Sequence, residues 1–133
     1  MKTVVTFGTF DLLHNGHVRL LRKASELGDT LIVGVSSDKL NFHKKQKKVV
    51  YSQELRSELL LSLKYVDAVF IEESLEKKVE YLKKFKADVL VMGNDWEGKF
   101  DYCKDEIDNL DVIYFDRTPS ISTTQIIEKV KFL

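Results

Sequence analysis

The chain is poor in proline, cysteine and net charge, and each shortage narrows what it can be. One proline in 133 residues, Pro119, leaves no proline-rich linker, and no Gly/Ser tract, internal repeat or low-complexity segment marks a boundary between units. The length suits one core-bearing domain and leaves no room for a second of ordinary size, so a single domain over residues 1–133 is expected. A lone cysteine, Cys103, excludes an internal disulfide and fits a reducing compartment. Lysine plus arginine number 21, as do aspartate plus glutamate, so no overall positive field would draw the chain to nucleic acid or to an anionic membrane. Any anion site has to be local. No apolar run approaches the roughly 18 residues of a membrane span, and Met1 leads straight into residues 3–7 without the flanks of an export signal. A soluble, cytoplasmic protein is expected.

What the chain does have is a regular alternation. Residues 3–7, 31–35, 68–71, 89–92 and 112–115 are short apolar runs rich in Val, Ile and Phe, as strands buried on both faces require. Between them, residues 17–27, 53–63, 75–85 and 102–109 carry helical periodicity, with 124–130 after the last strand. Repeated βαβ units with right-handed crossovers give a single-domain, Rossmann-like α/β fold: a parallel sheet with helices on both faces. Ligands of such a sheet bind beyond the carboxyl ends of its strands.

The first strand runs into Gly8-Thr9-Phe10-Asp11-Leu12-Leu13-His14-Asn15-Gly16-His17, and Val18, Leu20, Leu21 and Ala24 then open a helical apolar face. Gly8 and Gly16 permit close backbone approach, the free amides of a helix start favour an anion, and His14 and His17 lie about one turn apart. A single histidine here would be read as a buried polar contact or a helix-start residue. A paired H-x-G-H at the end of a first strand suits a nucleotide phosphate better. Zinc is disfavoured, because no cysteine pair accompanies the two histidines and His43 stands apart among lysines. No metal-ligating set is expected. Lys44, Lys45, Lys47 and Lys48 read as a basic loop after the second strand.

These motifs, with Lys45-Gln46-Lys47-Lys48, Tyr65-Val66-Asp67, Val91-Met92-Gly93-Asn94-Asp95-Trp96-Glu97-Gly98 and Arg117-Thr118 followed by Ile121-Ser122-Thr123-Thr124, resemble the H-x-G-H nucleotidyltransferases, and within them the glycerol-3-phosphate cytidylyltransferases. The resemblance spans nearly the whole chain. It implies transfer of CMP from CTP to a phosphorylated small alcohol, with glycerol 3-phosphate foremost. The products would be pyrophosphate and CDP-glycerol, a precursor of teichoic acid or another surface polysaccharide. It further implies Mg2+ accompanying CTP and a homodimer. The first motif alone would also fit an adenylyltransferase, and phosphocholine or phosphoethanolamine are alternative acceptors. A non-catalytic nucleotide-binding module is the reading from a different class.

By the same resemblance, His14, His17, Lys45 and Arg117 are the catalytic residues. Gly8, Thr9, Phe10, Asp11, Lys47, Asp95, Thr118, Ile121, Ser122, Thr123 and Thr124 line the nucleotide. Ser122 to Thr124 alone would be read as a helix cap; Arg117 just upstream puts a guanidinium beside the free amides, as a polyphosphate needs. Trp96 reads as core packing. Arg56 and Lys64 are the candidate acceptor-phosphate contacts, Lys64 standing where the family generally has arginine. From position alone they would be an exposed helix face and a helix end.

Overall fold

The computed structural model describes residues 1–45, 48–117 and 122–133, with only the backbone of Lys44 and Lys45. Its elements are β1 (Thr3–Gly8), α1 (Asn15–Ser25), β2 (Thr30–Ser36), α2 (Asp38–Lys45), α3 (Gln53–Leu61), β3 (Ala68–Glu72), α4 (Lys78–Lys84), β4 (Val89–Gly93), α5 (Cys103–Glu106), β5 (Asp111–Phe115) and α6 (Thr123–Lys131). Single 3-10 turns occupy Leu75–Lys77 and Asn94–Trp96. The strands pair in parallel in the order β3-β2-β1-β4-β5. The chain winds outward from β1 in both directions, which makes the crevice between β1 and β4 the switch point of the sheet.

Strand alternation splits the apolar residues between two faces. Val4, Leu31, Val33, Val35, Val89 and Val91 pack with Leu21 and Ala24 of α1 and Leu60 of α3. Val5, Phe7, Ile32, Leu90 and Met92 pack with Leu82 of α4 and with Phe100 and Cys103. Each strand thus fills a core on both sides, which is why these runs contain so few polar residues. Among the described residues no helix is long and apolar enough to cross a membrane.

Two elements differ from the sequence expectation. Residues 38–45 form a helix not expected from the sequence, whose end takes in Lys44 and Lys45 of the expected basic loop; the Ser37 hydroxyl accepts the Leu40 amide at 3.0 Å, and Asp38 opens the first turn, where a carboxylate complements the helix dipole. The expected helix over 102–109 is one turn, because Ile107 turns extended and Asn109 adopts a left-handed φ of 63° on the way to β5.

Candidate active site

The β1–α1 turn is built under strain and held from several directions. Phe10 and Leu12 both lie in the left-handed region, with φ of 53° and 50°, a conformation that costs a side-chain-bearing residue about 1–2 kcal/mol. Arg56 of α3, fully buried, donates through Nη1 to the carbonyls of Thr9 at 2.9 Å and Ser36 at 2.8 Å, through Nε to that of Tyr51 at 2.9 Å, and through Nη2 to the Asp38 carboxylate at 2.6 Å. The Asp11 carboxylate accepts the amides of Val50 at 2.6 Å and Tyr51 at 2.9 Å. Buried Asn41 accepts the Thr9 hydroxyl at 2.8 Å, and the Thr123 hydroxyl donates to the Asp11 carbonyl at 2.8 Å. Arg56, expected to contact the acceptor, is instead fully buried and outside the cleft lining, with four of its five N–H donors given to the backbone behind the turn and to Asp38.

His14 and His17 form a reciprocal cap on α1. The Gly16 amide donates to Nδ1 of His14 at 3.1 Å, and the His14 amide donates to Nδ1 of His17 at 3.2 Å. The rings stack with centroids 3.7 Å apart, and Phe10 meets His17 edge-on at 5.3 Å. Because both Nδ1 atoms accept, the bonding assigns the proton of each neutral imidazole to Nε2, which makes each ring a donor at its far nitrogen. Burial, reinforced by the Arg117 guanidinium, holds the His14 pKa below its ordinary value of 6.5.

The turn opens into a cleft of about 890 Å³, a volume suited to a small ligand. Its lining draws on the carboxyl ends of β1, β4 and β5 and on α1 and α6. Among the described residues six lysine or arginine side chains line it, Arg19, Lys23, Lys48, Lys99, Arg117 and Lys131, against four carboxylates, so a chain of no net charge carries a locally positive cleft. Arg117 meets the Asp95 carboxylate at 3.3 Å across the ends of β5 and β4; both side chains are more than half exposed, so the pair adds little to stability. Ser122 caps α6 by accepting the Gln125 amide at 3.1 Å, while Thr123 and Thr124 line the cleft.

The structure thus brings Gly8, Thr9, Phe10, Asp11, His14, His17, Asp95, Arg117, Ser122, Thr123 and Thr124 to one cleft. Lys64 does not join them. It is exposed, with its ammonium 5.3 Å from the Tyr65 ring, and it sits just before Asp67, whose carboxylate accepts the Leu31 amide at the opposite, amino edge of the sheet. The Lys45 side chain, Lys47, Thr118 and Ile121 lie outside the described residues. Reading the sequence missed Asn41, Lys48, Gly93 and Lys99 as lining residues and took Trp96 for core alone; Trp96 packs on Phe100 at 5.4 Å and lines the cleft as well. Gly93 and Lys99 stand within or beside the 91–98 motif, a proximity that could have flagged them.

The model of the cytidylyltransferase-like family matches residues 5–129. The chain is 48% identical over 130 residues to the glycerol-3-phosphate cytidylyltransferase of Bacillus subtilis, covering 98% of each protein. It is 51% identical over 126 residues to the enzyme of that name from Staphylococcus aureus, covering 95% of this chain and 92% of the relative. Among solved structures, the lipopolysaccharide core biosynthesis protein of Thermoplasma volcanium superposes with a TM-score of 0.79 at 24% identity, over 89% of this chain and 98% of that one, a likeness of fold. With its paired histidines capping a helix at the carboxyl edge of a parallel sheet, the chain belongs to the cytidylyltransferase-like family and groups there with the glycerol-3-phosphate cytidylyltransferases.

Proposed function

We propose that this single-domain chain transfers CMP from CTP to glycerol 3-phosphate, forming CDP-glycerol. A phosphate oxygen of the acceptor attacks the α-phosphorus in line; a new P–O–P bond forms, the bond to the β-phosphate breaks, and pyrophosphate leaves with its electron pair. The acceptor needs no strong general base, because a phosphate monoester with a second pKa of roughly 6 is already largely a dianion near neutrality. The protein's task is to hold two repelling anions in line and to stabilise the charge that builds on the α-phosphate and the leaving group.

The observation that carries this reading is the reciprocal cap, which fixes both imidazoles, with Nδ1 accepting and the proton on Nε2, in the lining of one cationic cleft. His14 and His17 donate to the α-phosphate region. Arg117 and the amides opening α6 serve the polyphosphate, with Lys45 and Lys47 assigned the same task by resemblance, as Thr118 and Ile121 are assigned to the nucleotide. Among the described residues no three His, Cys, Asp or Glu side chains are grouped to hold a metal, and the Asp11 carboxylate is engaged by backbone amides. That donor set fits Mg2+ entering with CTP on phosphate and water oxygens.

We further propose a cytoplasmic homodimer. Leu55 and Leu59 of α3 are exposed with Val50 and Tyr51 beside them, an apolar face that a second copy would cover; equilibrium sedimentation reads the assembly. The activity is tested by initial rates of pyrophosphate release with CTP or ATP against glycerol 3-phosphate, phosphocholine and phosphoethanolamine. CTP with glycerol 3-phosphate should be fastest. Preference for ATP or for phosphocholine would move the chain to another branch, and silence in every pairing would leave a binding module.

A further inference from the structure

The two cations expected at the acceptor stand elsewhere: Arg56 is buried behind the β1–α1 turn, and Lys64 lies at the amino edge of the sheet. A phosphate monoester still brings about two negative charges into the cleft, so another cation has to meet it. In-line transfer says on which side. The incoming oxygen approaches the α-phosphorus opposite the bond that breaks. The donors assigned to the leaving polyphosphate open α1 and α6, and α1 packs on the face of the sheet built on Val4, Val33 and Val91. The acceptor therefore enters from the other face, built on Val5, Phe7 and Met92. The described cations of the cleft lining divide accordingly. Those on α1 and α6 stand with the polyphosphate donors, Lys48 precedes α3 of the first face, and Arg117 serves the polyphosphate. Lys99 lies between Trp96 and Phe100, both packed in the core of the second face.

Lys99 closes a type II turn. Glu97 has φ −49° and ψ 127°, Gly98 has the φ of +79° that such a turn asks of its third residue, and the Lys99 amide donates to the Trp96 carbonyl at 2.8 Å. The Lys99 ammonium lies 5.6 Å from the centroid of the Trp96 ring, and both side chains line the cleft. The shape of this turn is local, but its place is set by β5. Before it, the Asn94 side chain donates to the Asp116 carboxylate at 3.1 Å. After it, the Tyr114 hydroxyl accepts the Phe100 amide at 3.0 Å and donates to the Asp101 carboxylate at 2.9 Å. One phenol oxygen thus ties the two residues that follow Lys99 to the sheet.

We infer that Lys99 holds the phosphate of the acceptor and that Tyr114 is the positioning residue that keeps it there. The inference rests on the proposed cytidylyl transfer and adds the side from which the phosphate monoester comes. Lys99 is exposed, so Lys99→Ala should unfold with the natural chain. Its KM for glycerol 3-phosphate should rise roughly tenfold or more, the worth of a hydrogen bond to a charged group, while its KM for CTP stays within about twofold. Tyr114→Phe keeps the ring in the core and loses the hydroxyl, so its KM for the acceptor should rise severalfold, again with little change for CTP. Asp101→Asn leaves the phenol an oxygen to donate to and should behave as the natural chain.

Initial rates of pyrophosphate release, with each substrate varied in turn, are read beside thermal unfolding and the emission of Trp96, the only tryptophan of the chain. That emission should shift to longer wavelength in Tyr114→Phe, where the turn is freed, and stay in place in Asp101→Asn. An unchanged acceptor KM in Lys99→Ala, or a KM for CTP that rises as much, overturns the acceptor contact. A Tyr114→Phe chain that melts lower but keeps its acceptor KM, or one whose Trp96 emission does not move, makes the hydroxyl a contact of the fold and overturns its positioning role. A natural chain that releases no pyrophosphate from CTP and glycerol 3-phosphate overturns cytidylyl transfer, and the inference with it.

Discussion

Replacing His14 by asparagine or by alanine separates the two tasks this residue carries. Its Nδ1 accepts the Gly16 amide at 3.1 Å and so caps α1, while its Nε2–H is assigned the hydrogen bond to the α-phosphate. The amide oxygen of asparagine stands one bond beyond Cγ, as Nδ1 does, and asparagine is among the best N-cap residues, so His14→Asn keeps the cap and removes the donor. Alanine removes both. A lost cap costs about 1 kcal/mol, or a few degrees of melting temperature in a chain of this size. A lost transition-state donor costs on the order of 3 kcal/mol, roughly a hundredfold in kcat. His14→Asn should therefore melt with the natural chain but turn over about a hundredfold more slowly, and His14→Ala should be both less stable and slow. The assay is pyrophosphate release at saturating substrates beside differential scanning calorimetry. A folded His14→Asn chain with near-natural kcat would refute the reasoning, because the residue would then be a cap and nothing more.

Three further outcomes follow from the geometry. Burial and then Arg117 hold His14 below 6.5, so between 6.5 and the folded value the unfolded chain binds more protons; the contribution of His14 to stability is full above 6.5 and falls as the pH drops through that window. Imidazole proton shifts in NMR should follow this titration and move part of the way back up in Arg117→Ala, where burial alone remains. Lys78, buried 2.6 Å from Glu72 with its ammonium 3.6 Å from the Phe7 ring centroid, should lose about 3–5 kcal/mol in denaturant titration as Lys78→Met, which strands a buried carboxylate; adding Glu72→Leu should recover most of it. Arg56→Met should destabilise by on the order of 3 kcal/mol, with Arg56→Lys restoring little, since one ammonium cannot serve four acceptors; thermal unfolding reads both.

Much of this was legible along the chain because it is local. The strand runs carry their own burial in Val, Ile and Phe, and the H-x-G-H spacing places two imidazoles on the first turn of a helix without any knowledge of the rest of the fold. What escaped was set by contacts distant in sequence. Arg56 looks like a surface cation on α3 until the fold brings the carbonyls of Thr9, 47 residues earlier, and Ser36 against its guanidinium. Asn41 belongs to a helix whose lysine-rich end hid its cap, Ser37. Lys64 lies close in sequence to the helix that carries Arg56 yet lands on the far edge of the sheet, because a parallel strand must begin at the end opposite the one where its predecessor finished.

The most direct test of cytidylyl transfer follows the phosphorus atoms. In a 31P NMR time course of the chain with CTP, glycerol 3-phosphate and Mg2+, the monoester resonance of glycerol 3-phosphate should disappear. Two coupled diphosphate resonances should replace it as pyrophosphate rises in equal amount, since the acceptor's phosphorus becomes part of the new P–O–P linkage. A monoester signal that persists while CTP is consumed, or orthophosphate released in place of pyrophosphate, would contradict attack of the acceptor's phosphate on the α-phosphorus.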